Sequence, residues 1–250
     1  IITLLSAAIF FPSCEGFLEE KIESNVPAEE FYLTEEGFNS LVVSVYPGWK
    51  EIYGRSEPWA FWCGTDIYTT GNQAEPVDLM EYTTLNPATQ SIGDHYEECF
   101  KIISKANMAL YYSEITDPSN PDIENSVGQM EFIRAYAYFL LVQDYGGVPL
   151  ITDYISEAVT SFDRNTAQEV YDQIIADLTS AIGNLPDVPY ASAPGRPTKR
   201  AAQHLLSLVY LTRGYEEFGG NDDFTKAAQF ADQTIAGQEL DIPFDELWDP

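Results

Sequence analysis

Apolar positions recur at helical spacing along most of this chain, and the clearest case is the stretch Glu131 to Thr152, EFIRAYAYFLLVQDYGGVPLIT. Ala135 to Gln143 carries no charge, and Phe132, Ile133, Tyr136, Phe139, Leu140 and Leu141 point to nearly every side of a 3.6-residue period. Such a helix has to be buried on more than one face. Gly146-Gly147 supplies its stop and Pro149 blocks resumption, so the helix ends abruptly in an extended segment. The apolar run is about half the ~20 residues needed to cross a bilayer, which makes it a core helix. Arg134 inside it calls for a carboxylate on a neighbouring element.

The same period predicts a helix over Thr34 to Tyr53, with Thr34 as N-cap, Glu35 and Glu36 at the positive end of the dipole, and a kink or break at Pro47. Glu57 to Pro87 has no sustained period and reads as a long non-helical segment dense in aromatic and amide side chains. Helical pattern returns over Ala88 to Ile115. Asp117 to Ser126, DPSNPDIENS, reads as turn chemistry throughout. Thr166-Ala-Gln-Glu169 fits a capping box, opening a helix that runs up to Pro186. Thr198 caps another, which Gly219-Gly220-Asn221 breaks, and Asp223 to Ala236 forms a last one. The second half is therefore a series of antiparallel helix pairs with Ala and Gly at close contacts. The fold class is mainly α, a tetratricopeptide-like helical-repeat scaffold with long irregular loops, although no fixed 34-residue repeat is present.

Composition narrows the function. The 250 residues include 40 acidic and 12 basic side chains, a formal net charge of -28. That field repels phosphate backbones, so no nucleic acid is expected as a partner. Three cysteines are too few for a disulfide scaffold, and no CxxC or Cys/His spacing suggests a metal site. The acidic pairs, Asp222-Asp223 among them, lack the alternating ligands of a calcium loop and read as solvated turns. His95 and His204 accompany no nucleophile pattern. No cofactor is implied.

Residues 1–13, IITLLSAAIFFPS, are uncharged and apolar, and the switch to the acidic EGFLEEK falls at Cys14. This fits a partial lipoprotein signal with Cys14 as the acylated residue; a buried N-terminal element is the alternative. Cys63 and Cys99 are open to pairing or to remaining free thiols.

Three segments, CEGFLEEKIESNVPAEEFYLTEEGF from Cys14, RAYAYFLLVQDYGGVPLIT from Arg134 and GRPTKRAAQHLLSLVYL from Gly195, resemble the SusD/RagB family of outer-membrane lipoproteins. On that resemblance residues 14–33 are a lipidated N-terminal segment, and 34–250 are a SusD-like helical domain, incomplete at its C-terminus. The resemblance implies a non-catalytic protein, lipid-anchored at Cys14 to the outer membrane and exposed at the cell surface. It would capture an oligosaccharide or polysaccharide, less often a peptide, and pass it to a SusC-like TonB-dependent transporter. Phe61 to Gln73, FWCGTDIYTTGNQ, resembles the region from which the first half of the family contributes to the ligand site. There Trp62 and Tyr68 offer stacking faces, and Asp66 and Asn72 offer paired hydrogen bonds to adjacent hydroxyls. The bland reading makes Trp62 core and Asp66 and Asn72 turn caps. An exported helical glycoside hydrolase and a protein-binding helical adaptor are the other classes. No carboxylate pair stands out for the former.

Overall fold

The computed structural model of the chain describes residues 27–54, 63–66 and 77–238. The described elements are helical: α1 (Ala28–Tyr32), α2 (Glu35–Val45), α3 (Pro47–Gly54), α4 (Val77–Glu81), α5 (Gln90–Ile115), α6 (Ile123–Tyr145), α7 (Ala167–Asn184), α8 (Lys199–Arg213) and α9 (Asp223–Ile235), with a single 3-10 turn at Tyr190–Ser192. No strand occurs among the described residues.

α2, α7 and α8 begin at the threonine caps that the sequence signals. Thr34 Oγ1 accepts from Gly37 N at 3.1 Å, and Thr198 Oγ1 from Ala201 N at 3.3 Å. The Thr166 box is complete: its hydroxyl accepts from Glu169 N at 3.2 Å while the Glu169 carboxylate accepts from Thr166 N at 2.7 Å. These bonds satisfy donors that would otherwise face water or apolar neighbours unpaired. At position 47 proline cannot continue the preceding ladder, and α2 accordingly gives way to α3.

Two expectations need correction. α6 begins at Ile123, so Glu124 to Ser126 are helical; only Asp117 to Asp122 form the turn, held by the Asp117 and Asn120 side chains. Gln129, Met130 and Ile133 lie buried along the same helix, and their burial extends it back through a polar stretch whose local preference is for turns. The segment 57–87 is not wholly irregular, because Val77–Glu81 closes into a short helix.

The helices from α5 onward alternate in direction and pack side by side. Tyr145 at the end of α6 donates to Ile92 O at the start of α5, and Asn184 at the end of α7 meets Glu131 in the first half of α6. Tyr171 of α7 reaches Thr212 of α8, and Gln203 of α8 reaches Gln233 of α9. α6 lies between α5 and α7, and α8 between α7 and α9. Hence α6 is buried nearly all round: Ile133, Ala137, Tyr138, Phe139, Leu141 and Val142 are within the core. This is the antiparallel, tetratricopeptide-like stack expected from the sequence.

After Tyr145 the chain reverses at Gly146, whose φ of +68° favours glycine. Gly147 then passes so close to the next segment that a Cβ there would lie 2.1 Å from Asn165 O. The extended stretch that follows is tied down by side chains. Leu150 N donates to Asn165 Oδ1 at 3.0 Å, and Ile151 N donates to the Tyr138 hydroxyl at 2.7 Å. No described helix is long and apolar enough to cross a membrane.

Candidate functional site

Trp49 and Tyr53 lie one turn apart on α3, which places both rings on one face of that helix. α6 presents Phe132 and Tyr136 to the same face, again one turn apart. The Trp49 and Tyr136 rings stack with centroids 5.0 Å apart and planes inclined by 29°; Tyr53 and Tyr136 stand 6.5 Å apart at 21°. Their hydroxyls, Tyr53 Oη and Tyr136 Oη, meet at 2.5 Å. Tyr53 remains 44% exposed, so this aromatic shelf opens to solvent at its α3 end. Together with Tyr46, Arg196 and Pro197 these rings border a cleft of about 390 Å³, within the size range of small-ligand sites.

Behind the cleft the buried Gln129 amide ties two of its lining residues together. Gln129 Oε1 accepts from the Tyr46 hydroxyl at 2.5 Å and from Arg196 Nη1 at 2.6 Å. The Arg196 guanidinium lies 5.0 Å from the centre of the Tyr46 ring, within cation–π reach. Burial pushes the Tyr46 phenol up to about 12, an effect Arg196 partly opposes. Burial likewise raises Tyr53, with the Tyr136 hydroxyl adding to it. The Tyr46 and Tyr53 phenols are therefore neutral at physiological pH. Flat apolar faces bordered by neutral hydroxyls and one fixed cation suit a ligand with C–H faces and hydroxyl rims.

Of the residues singled out from the sequence, Trp62, Tyr68 and Asn72 lie outside the described residues, as does Cys14. Asp66 is described: it is exposed, in the turn 63–66. That turn contains Gly64 at φ +77° and receives a 3.1 Å hydrogen bond from the Tyr82 hydroxyl at Gly64 O. Tyr46, Trp49 and Tyr136 were legible as apolar stripe and core, and their shared open cleft was not. The available signal was the Trp49/Tyr53 spacing just after Pro47, which repeats an aromatic face where the helix restarts.

Other chemistry-bearing groups resolve into scaffold. Arg134 finds the carboxylate its burial demanded, donating from Nε and Nη2 to Asp177 at 2.8 and 2.7 Å, and from Nη1 to Asn107 Oδ1 and Thr152 O. His95 Nε2 lies 3.1 Å from Asp144 Oδ2 and 3.9 Å from Cys99 Sγ. That trio is no nucleophilic site, because Cys99 is fully buried and burial pushes its thiol far up, away from the thiolate. Cys63 and Cys99 are both free thiols. Asp222-Asp223 is not a solvated pair: Asp223 is fully buried, its two oxygens held by Arg213 at 2.6 and 2.9 Å, because the chain needs an anchor where α8 turns into α9. No group of three or more His, Cys, Asp or Glu among the described residues could hold a metal ion.

Comparison with known proteins agrees with this architecture. A family described as "Starch-binding associating with outer membrane" matches residues 16–211. The SusD-like protein P2 of Formosa agariphila is 26% identical over 259 aligned positions, covering 99% of this chain and 49% of that protein. A solved laminarin-binding SusD-like protein superposes with a TM-score of 0.71 at 24% identity, over 81% of this chain and 44% of its own. A structure with xylogluco-oligosaccharide gives a TM-score of 0.68 at 24% identity, over 82% and 41%. The chain thus spans about half the length of the relatives it matches. With a match that covers most of its length, the chain belongs to the SusD-like family.

Proposed function

We propose that this chain is part of a cell-surface lipoprotein that binds a glycan without cleaving it and delivers it to a TonB-dependent outer-membrane transporter. The observation that carries the reading is the solvent-open shelf of Trp49, Tyr53 and Tyr136, built on the helix that leads into residues 61–73. Sugar rings stack on such faces, and Trp62, Asp66, Tyr68 and Asn72 would extend the contact along the same stretch of chain. Family membership supports it, since one solved neighbour is laminarin-binding and another is a structure with xylogluco-oligosaccharide.

Capture without chemistry fits the lining of the cleft, which is aromatic and apolar with one arginine. Glycoside hydrolysis takes two carboxylates flanking the scissile bond. In this reading residues 1–13 are the end of an export signal, Cys14 carries the lipid that holds the protein on the outer membrane, and 34–250 belong to the binding domain. Labelling with a radioactive fatty acid in the native host should mark the wild type and not Cys14→Ala.

The test of glycan capture is calorimetric titration with neutral β-glucan and xyloglucan oligosaccharides. Trp49→Ala and Tyr53→Ala are each expected to weaken binding up to about tenfold, as the loss of one stacking face would. Trp62→Ala combined with Asp66→Ala should weaken it further. Unchanged affinity in all three folded variants would falsify the site, and hydrolysis of the probe by the wild type would overturn the non-catalytic reading.

A further inference from the structure

On the side of the fold where α1 and the 150–156 segment meet α5, a second aromatic surface stands open. Tyr111 and Tyr154 are tilted against each other with centroids 5.3 Å apart. Tyr112 closes the back of the group, perpendicular to Tyr111 at 5.4 Å. The Tyr111 ring is 46% exposed. The Tyr111–Tyr154 pair forms a shared wall between two clefts, of about 640 and 510 Å³.

Carboxylates line both clefts. Glu29 and Glu30 border the smaller, Glu114, Glu131 and Asp153 the larger. Glu29, Glu30, Glu114 and Asp153 are exposed and form no ion pair with a basic side chain among the described residues. The one basic residue in the lining, Arg134, is already engaged by both oxygens of Asp177. Cation-accepting tyrosine faces and unpaired carboxylates therefore converge on one groove, with no positive charge among the described residues to satisfy them.

We infer that this groove is a docking surface for a lysine- or arginine-bearing segment of a partner protein. A cationic side chain inserted between the clefts would lie against the Tyr111 and Tyr154 rings with a carboxylate on either flank. Aromatic faces strengthen that attraction once water is excluded. A neutral glycan gains nothing from the flanking charges, and an acidic partner is repelled by them. The formal net charge of -28 steers a basic segment toward the molecule, while the tyrosine pair gives the encounter a place to end. This surface is separate from the Trp49 shelf and does not depend on the glycan reading.

The experiment is a titration of the chain at low ionic strength with an acetylated, amidated Gly-Lys-Gly-Lys-Gly peptide, against the same peptide with glutamine in place of lysine. Tyr111→Ala, which leaves the net charge unchanged, is expected to weaken lysine-peptide binding about fivefold. Glu114→Gln should weaken it more than Glu216→Gln, which removes the same charge from an exposed loop elsewhere. Because Tyr111 and Glu114 are exposed, each variant reports independently if the other loses its fold. Equal effects of Glu114→Gln and Glu216→Gln, no effect of Tyr111→Ala, or equal binding of the lysine and glutamine peptides would each reduce the interaction to diffuse attraction and overturn the proposal.

Discussion

At the scale of single residues, the buried ionic contacts are the most sensitive points. Arg134 → Met would leave Asp177 in a site with little water and no counter-charge. The expected loss of stability is about 3–5 kcal/mol in a urea unfolding curve, because removing one partner strands the other. Changing both, Arg134→Met with Asp177→Leu, should recover part of that loss. Asp223 gives the pH dependence a sign. The guanidinium of Arg213 and the Gly220 N–H hold its carboxyl below the ordinary aspartate range. A depressed folded-state value means the contribution is fully present above the unfolded value and disappears as pH falls through the folded one. Acid unfolding of wild type should thus steepen below about pH 4, the unfolded aspartate range. Asp223→Asn should show a flatter acid limb with lower stability at neutral pH.

Among the elements, α7 and the exit from α6 show how local chemistry is converted into architecture. Thr166→Ala removes the acceptor for Glu169 N, and the expected cost is about 1 kcal/mol, measurable as a shift in the denaturation midpoint. Glu169→Ala should cost less, since it removes only the returning half of the box. Gly147 is a matter of space rather than of capping. Its Cβ position lies 2.1 Å from Asn165 O, so Gly147→Ala has to push the 147–152 segment away from the start of α7. A cost of about 1–3 kcal/mol is expected, as for other overpacked sites. Unchanged thermal stability would show that this approach is looser than the geometry indicates.

On the scale of the whole molecule, the excess of negative charge opposes compaction. Raising NaCl screens that repulsion, because the Debye length falls from ~30 Å at 0.01 M to ~10 Å at 0.1 M. The melting temperature should rise with salt over this range, and a flat response would place the charges too far apart to matter.

What the sequence determined by itself is what depends on near neighbours in the chain. The caps at Thr34, Thr166 and Thr198, the break at Pro47 and the stop at Gly146 were legible because each acts within about one helical turn. The need for a partner at Arg134 was legible too, since a guanidinium in an apolar run has to be neutralised wherever its carboxylate comes from. Three features required tertiary structure. Helix α6 starts at Ile123 because burial against α7 outweighs the turn preference of Glu124 to Ser126. Asp223 is buried because Arg213, ten residues away, folds back over it. The open aromatic cleft exists because α3 and α6 bring together residues as far apart in the chain as Tyr53 and Tyr136, 83 positions, and leave Trp49, Tyr53 and Tyr136 half covered. Periodicity assigns such residues to an apolar face, and only the packing of the next helix decides whether that face closes into core or stays open to a ligand.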